Sequence, residues 1–592
     1  MTSPALSSRR VRIALDLWVL ALSVVLVWPL VTSSGYPLAK DLVFTPRQPM
    51  RVEWLGLGDA PARAVPLDAV VSLADALVGG AVLSRIAVLG LLVLAGAAAH
   101  RVLGLAHPLA RMAAAGFAVW NPFVVERLAL GQWALLWAYA ATFALAGAAA
   151  HYRLSAGGWR PIAPVIAALA LAAITPTGAL LGAAVALAIG LDRRRHKAVP
   201  LLLVCVGMQL PWVLPTLLGD AGLLSDPRGV AAFAARAERP GGAVWSLLGL
   251  GGIWDASSAP SSRVGAFGHA SSVLVVLGLA LGWPGLGRLL GQSTRLRLAV
   301  LGGLSFVAAA LTTSSAGQAV GRLLVESVPG AGLIRDGQKL LMPFVLLAVL
   351  ALGATTDRLL RFASVRAAAL VPTLAVALIA VPIVALPDAT TSTWRTVRPI
   401  SYPSDLEAIA GIVDGTPEAL VSLPWEPYRI YRWGRPVPVF DPASRWLDVD
   451  VMVSDRLRIG TVTLEGESAR AAAVGGALAS GHLTGRRLAD MGVRWILIQR
   501  DRVGSGPGPG DVEGVVTRFA GPEFVLMETP GPWSRSPAPP PWTTALVAAV
   551  DILLLLVSAA AVGTVVTDRI MSRLNRFRWL PAGMLPRTQR GS

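Results

Sequence analysis

Apolar runs separated by short, Arg-bearing connectors dominate the chain. They lie near Ile13–Val31, Ala81–Ala99, Leu105–Val119, Trp133–Ala150, Ile162–Ile174 and Ala179–Leu191. They resume near Val199–Leu218, Ser271–Gly287, Leu298–Leu311, Leu340–Gly353, Ala367–Leu386 and Thr543–Val566. Runs of this kind are the mark of helices that cross a bilayer, and they predict a polytopic α-helical membrane protein with about twelve transmembrane helices. The first run follows Arg9, Arg10 and Arg12 as a signal peptide would. No small-x-small cleavage site precedes the next loop, so it reads as a signal anchor that stays. The two short runs meeting at Thr175–Gly178 read as two spans or as a re-entrant hairpin.

The polar connectors divide into two sets. Arg9–Arg12, His100–Arg101, Asp192–Lys197, Arg288–Arg297, Asp357–Arg366 and the Arg-rich tail after Asp568 fall on one side. Cationic connectors stay in the cytoplasm, so both termini are expected there, in the plasma membrane. The other side takes the long connections Thr32–Gly80, Gly219–Ala270, Thr312–Lys339 and Pro387–Trp542, with the short turn Asn121–Gly131. The division expected is therefore a multi-span domain with outer loops (1–386), a small α/β extracytoplasmic domain (387–542), a last transmembrane helix (543–567) and a basic cytoplasmic tail (568–592). Within the α/β part, Ser404-Asp-Leu-Glu407 is a capping-box pattern opening a helix to Val413. Ala419–Trp425, Val493–Gln499 and Glu523–Glu528 read as strands, the middle one buried on both faces. Gly504–Gly510 reads as a loop and Pro530–Pro541 as a stiff linker.

Composition agrees: 54% of the 592 residues are hydrophobic and 15% charged, where a soluble chain carries about a quarter charged. The net charge of +17 lies mainly beside apolar runs, where it sets orientation and meets anionic lipid, so nucleic acid is not the expected partner. The single cysteine, Cys205, sits in an apolar run and excludes an intrachain disulfide, Cys-ligated zinc and Cys-pair redox chemistry. The six His residues are scattered, and there is no phosphate-binding G-x-x-x-x-G-K loop for a nucleotide.

Three outer segments carry candidate chemistry. Lys40 and Asp41 follow the first run by about ten residues, close to the interface. A carboxylate there can take a proton from a hydroxyl nucleophile beside a cation that binds phosphate. Equally, the two residues are a solvated pair in a polar loop, and Glu53, Asp59, Asp68 and Asp75 compete for the role of base. Next, Trp120–Trp133 reads WNPFVVERLALGQW. Glu126 and Arg127 either serve a site or form a salt bridge that locks the turn, with Trp120 and Trp133 as interface aromatics. Finally, in GLIRDGQKLLMP, Arg335 and Lys339 lie four apart leading into a span, suited either to clamp a phosphate or to anchor the helix.

The acidic residue after the first span, the N-P-F-x-x-E-R-x-x-x-G-Q-W turn and the R-D-x-x-K lead into a later span together resemble the GT-C class of polyprenyl-phosphate-sugar-dependent glycosyltransferases. Within that class, the chain is most similar to the arabinofuranosyl- and mannosyltransferase-like membrane proteins of the actinobacterial cell envelope. YPSDLEAI, VSLPW and MGVRWILIQ resemble their outer domains. Some members carry paired acidic residues where Lys40-Asp41 stands. The resemblance implies Asp41 as catalytic base and Lys40, Glu126, Arg127, Gln132, Arg335, Asp336 and Lys339 as substrate-binding residues. The donor phosphate would sit between Arg127, Arg335 and Lys339 while an acceptor hydroxyl of the envelope glycan or glycolipid attacks the anomeric carbon with inversion. No metal site is implied, although a divalent cation could be held by Glu53 and Asp59. Two other functions compete: a transporter or flippase of a lipid-linked sugar, and a non-catalytic envelope-assembly protein.

Overall fold

The computed structural model describes residues 4–59, 64–219, 224–366, 368–480, 484–500, 512–534 and 538–577. The expected loop Gly504–Gly510, part of the 530–541 linker and the tail beyond Phe577 lie outside the described residues. Most of the described chain is helical, as the apolar runs require.

Among the described residues, six helices are long and apolar enough to cross a membrane: Gly80–Val102, Trp133–Leu154, Ala266–Leu290, Gln292–Leu311, Gly337–Val365 and Pro541–Met571. Two bent pairs bring the number up to eight when each is counted as one span. Arg195–Gly207 turns into Leu210–Leu218 at 52°, and Val371–Val384 into Ala389–Val397 at 49°. The expected twelve is not reached, for a geometric reason. The run taken as Leu105–Val119 forms a helix of 12 residues, Pro108–Val119, which rises only about 18 Å against a hydrocarbon core of about 30 Å. Trp159–Ala172 and Pro176–Gly190 are likewise short. The first helix, Pro4–Leu26, carries Arg9, Arg10, Arg12 and Asp16 and so lacks a long uncharged stretch. Asp16 is paired with His100 and Arg101 of the following helix.

One continuous apolar core joins these helices, with Gly353 of the Gly337–Val365 span set against Leu103 and Ala114. Small residues at such crossings let membrane helices approach closely. Trp120 and Trp133 belong to this core rather than to a lipid interface. Trp120 donates to the carbonyl of Leu386, and Trp133 packs on Phe44.

At one end of the bundle the first loop forms a hairpin, β1 (Tyr36–Ala39) with β2 (Leu42–Val43), and β1 also pairs antiparallel with β3 (Pro399–Ile400). Beyond β3 come β4 (Ala419–Leu423), β5 (Tyr428–Arg429), β6 (Val439–Phe440), β7 (Val451–Met452), the hairpin β8 (Leu457–Ile459) and β9 (Val462–Leu464), β10 (Val493–Gln499), β11 (Val516–Ala520) and β12 (Phe524–Glu528). Five of them make a sheet in the order β11-β12-β10-β4-β7, parallel across β10, β4 and β7 and antiparallel at β12 and β11. Alternate residues of β4, β10 and β12 enter two separate apolar clusters, one on each face of the sheet. That explains the unbroken hydrophobic runs of these strands, since a sheet buried on both sides has no polar face.

The helix Asp405–Val413 starts where expected, but the capping box does not form. Ser404 has helical dihedrals (φ −64°, ψ −20°) and makes no side-chain cap, whereas a capping residue needs extended backbone. Asp405 instead accepts from the backbone N–H groups of Glu523 and Phe524, tying the helix to the start of β12.

Candidate functional site

The short helix Pro122–Ala129 organises the site. Asn121 caps it: its Oδ1 accepts from Val124 N–H, and Pro122 occupies the first turn, where no N–H is needed. Consecutive side chains of a helix diverge by about 100°, and here Glu126 and Arg127 leave in different directions. They do not bond to each other, so the turn is not locked by a Glu126–Arg127 bridge.

Arg127 is fully buried and bidentate with Asp336, with Nη to carboxylate oxygen distances of 2.5 and 2.7 Å. Its Nη1 also donates to Gln132 Oε1 at 2.6 Å. Burial pushes the Asp336 carboxyl upward, but the Arg127 charge and hydrogen bonds outweigh it and hold the group ionised, below its ordinary value. Arg127 therefore stands behind the site surface, its charge matched by Asp336.

Glu126 enters a second cluster. Its Oε2 accepts from Gln338 Nε2 at 2.6 Å and from Ile253 N–H at 3.2 Å, and Arg263 Nε lies 3.6 Å from Oε1. Glu238 holds Arg263 at 2.7 Å and accepts from Gly252 N–H. Burial, then the negative charge of Glu238, push the Glu126 carboxyl well up. Burial acts on Glu238 too, but the Arg263 charge overrides it and keeps that carboxyl low. Of the two, Glu126 is the one whose carboxyl is raised.

Asp41 lies at the β1–β2 turn, half-buried, where four chain segments meet. Lys40 before it adopts a left-handed backbone (φ 51°), and its N–H and C=O bond to Pro438 O and Phe440 N–H. The Lys40 ammonium is spent on Asp255, Ser257 and Ser258 at 2.7–2.8 Å. Burial raises Asp255, but Lys40 overrides this and holds it below its ordinary value. Lys40 is thus neither a solvated partner of Asp41 nor an open phosphate ligand; it is a strut to the 255–258 turn. Gly131 (φ 88°) packs on the turn so tightly that a Cβ would stand 2.3 Å from Leu42 N, so only glycine fits.

The Asp41 carboxylate meets Gln132 Nε2 at 3.4 Å through Oδ2 and the Tyr428 hydroxyl at 2.5 Å through Oδ1. A line Asp336–Arg127–Gln132–Asp41–Tyr428 runs from the segment before the Gly337–Val365 helix to the sheet domain. Lys339 lies within electrostatic reach of Asp41, Asp336, Arg127 and Arg335. Its closest carboxylate oxygen is that of Asp336 at 4.0 Å, and its side chain is a quarter exposed. Arg335 lies over the Phe233 ring at 5.5 Å and 4.0 Å from Glu467 of the sheet domain. Beside these two cations, Ile334 and Leu340 line an apolar cavity of about 320 Å³ together with Val230, Leu311, Val320 and Leu324.

Of the residues singled out in the sequence, Asp41, Gln132, Arg127, Asp336 and Lys339 thus form one connected group, with Arg335 adjacent. Glu126 and Lys40 belong to neighbouring networks. The other acidic residues of the first loop are engaged elsewhere: Glu53 with Arg51, Asp59 with Ser468, Asp68 with Arg445, and Asp75 with the N–H of Gln48. Among the described residues, no three His, Cys, Asp or Glu side chains gather as metal ligands. Sequence reasoning missed Tyr428 and Asp255, whose partners lie 387 and 215 residues away, and Glu238 and Arg263, which pair inside a loop with no motif.

No family model and no curated protein matches the chain. Among solved structures it is similar to the arabinofuranosyltransferase AftD from mycobacteria, at TM-score 0.55 and 17% identity over 89% of this chain. A mutant form of the same enzyme gives 0.54 and 16%, also over 89%. The chain shares the fold of part of that enzyme. It spans 40 to 42% of the length of those solved chains. The resemblance read from the sequence is therefore borne out in the fold, and with the apolar helices it makes this a membrane protein.

Proposed function

We propose that the chain is a membrane glycosyltransferase that moves a sugar from a polyprenyl-phosphate donor to a hydroxyl of a cell-envelope glycan or glycolipid, on the extracytoplasmic face. The observation that carries this reading is a half-buried carboxylate, Asp41, within electrostatic reach of Lys339, whose side chain is a quarter exposed. Transfer from a lipid phosphate needs those two functions and no more. A base takes the acceptor proton while the acceptor oxygen bonds to the anomeric carbon, and a cation receives the phosphate as the C–O bond to it breaks. A single displacement from opposite sides inverts the anomeric centre. The fold shared with an arabinofuranosyltransferase supports an arabinofuranose donor ahead of mannose.

In this scheme Lys339 and Arg335 receive the donor phosphate. Arg127, neutralised by Asp336, holds Gln132 against the base. The apolar cavity flanked by Ile334 and Leu340 has the chemistry to take the first isoprene units of the donor, next to the cations that would hold its phosphate.

The test is reconstitution of the full chain in liposomes with polyprenyl-phosphate arabinofuranose, polyprenyl-phosphate mannose and a panel of envelope glycan acceptors, with products read by mass spectrometry. Transfer that depends on the lipid phosphate, and that Lys339→Ala weakens chiefly through donor KM, is the expected result. Movement of a lipid-linked sugar across the bilayer with no product on any acceptor would contradict it.

A further inference from the structure

The sheet domain reaches the candidate base directly. β5 and β6 form a two-stranded ribbon in which Tyr428 faces Phe440, the rings 5.7 Å apart. The same ribbon grips the backbone of the residue before the base: Lys40 N–H donates to Pro438 O at 2.7 Å, and Phe440 N–H donates to Lys40 O at 3.0 Å. Behind Tyr428, the guanidinium of Arg429 is fully buried against Asp441 at 3.2 Å and donates to the carbonyls of Pro424 and Glu426. Tyr428 thus stands on a rigid mount, with its hydroxyl on Asp41 Oδ1.

The two carboxylate oxygens of Asp41 are not equivalent. Oδ1 accepts the short bond from Tyr428, whereas the Gln132 amide stands 3.4 Å from Oδ2, long for a hydrogen bond of this type. Oδ2 makes the longer contact, on the side of the Arg127-bound amide.

We propose that Tyr428 is a positioning residue: it fixes the Asp41 carboxylate so that Oδ2 is the oxygen presented to the acceptor hydroxyl, which makes the sheet domain part of the site. The proposal rests on Asp41 being the base. In the step, the acceptor O–H proton passes to Asp41 Oδ2, the acceptor oxygen bonds to the anomeric carbon, and the electron pair of the breaking C–O bond leaves on the donor phosphate. Tyr428 keeps its own proton throughout. A carboxylate held at one oxygen gives up rotational freedom before the reaction, and misplacement of a reacting group by about 1 Å can cost about 100-fold in rate.

The experiment uses the full chain in nanodiscs, labelled with ¹³C-carboxyl aspartate. The infrared bands of Asp41 are isolated as wild type minus Asp41→Asn, and the same difference is taken in the Tyr428→Phe background. The proposal expects the Asp41 carboxylate stretch to shift in Tyr428→Phe, and kcat for transfer to fall roughly 10- to 100-fold with donor KM within about twofold. Phe440→Leu disturbs the ring packing but keeps the hydroxyl, and should leave the band in place. An unmoved band in a Tyr428→Phe protein that melts like wild type overturns the proposal, as does a moved band with unchanged kcat. Full transfer by Asp41→Asn would instead remove Asp41 as base, a failure of the functional reading, while the band still reports whether Tyr428 holds the carboxylate.

Discussion

The turn from Asn121 to Trp133 feeds two clusters of the same residue types that differ in how far they reach toward the surface. On the Glu126 side, Arg263, Glu238 and Gln338 are wholly buried and bonded to one another and to the loop backbone. On the Arg127 side the network runs outward, from buried Asp336 through Gln132 to half-buried Asp41 and to Lys339, which has no carboxylate oxygen closer than 4.0 Å among the described residues. A buried charge network bonded to several loops holds chain segments together. A carboxylate and a cation that remain accessible can meet a substrate. The two clusters should therefore separate stability from activity.

The largest expected effect lies in the buried cluster. Glu238→Gln leaves Arg263 without its close counter-charge and should cost about 3–5 kcal/mol of stability, the usual result of stripping one partner from a buried pair. Thermal unfolding in nanodiscs reads this. A change below about 1 kcal/mol would mean that the cluster is not the strut described.

At the rim, Arg335→Ala and Lys339→Ala should each raise donor KM by roughly 10- to 100-fold, corresponding to the ~1.5–3 kcal/mol of a hydrogen bond to a charged group. The melting temperature of Lys339→Ala should stay near that of wild type, and that of Arg335→Ala should fall with the loss of its Phe233 and Glu467 contacts. Steady-state kinetics against donor concentration decides between loss of KM and loss of kcat.

Gly131→Ala sits between the two regions. Its positive φ alone costs about 1–2 kcal/mol, and the new Cβ would push on the Asp41 turn. Stability should fall by at least that amount and kcat with it; unchanged values for both would show that the turn can move aside.

Smallest of all should be Glu126→Gln. The native Glu126 carboxyl is raised by burial and by Glu238, so the folded state holds a proton that the unfolded state, titrating near about 4.3, gives up. The folded state then binds more protons than the unfolded one, and this group makes stability fall as pH rises from about 4.3 toward the raised value. Gln imitates the protonated acid. Below the raised value the variant should lie within about 1 kcal/mol of wild type, with a flatter decline of Tm above pH ~4.3. A Glu126→Gln protein as damaged as Glu238→Gln would reverse the assignment of the proton.

Much of the bundle was legible because burial in lipid or in other helices writes the same long apolar runs. For that reason the count was not. Pro108–Val119 is apolar because it is enclosed by neighbouring helices rather than because it spans. Val199–Leu218 and Ala367–Leu386 hide the bends at Met208–Gln209 and after Val384. The strands at 419, 493 and 524 were readable from hydrophobic runs of strand length, whereas Ser404 followed a capping pattern that its backbone does not adopt. At the site, Asp41, Arg127, Gln132, Asp336 and Lys339 were readable from short motifs. Their division into accessible and enclosed was not, because it depends on partners brought in by folding. Arg127 is enclosed by Asp336, Lys40 by Asp255, and Asp41 is reached by Tyr428 across 387 positions of sequence. No local pattern carries that information.

The central claim is that Asp41 is the base of a lipid-phosphate sugar transfer, and the most direct measurement is the single-turnover rate of Asp41→Asn beside its melting temperature. Removing a general base typically costs 10²- to 10⁴-fold. The account predicts a loss on the order of 10² or more in the chemical step, with donor binding retained and stability close to wild type. A variant that transfers sugar at the wild-type rate, or one that fails only because it no longer folds, would contradict it.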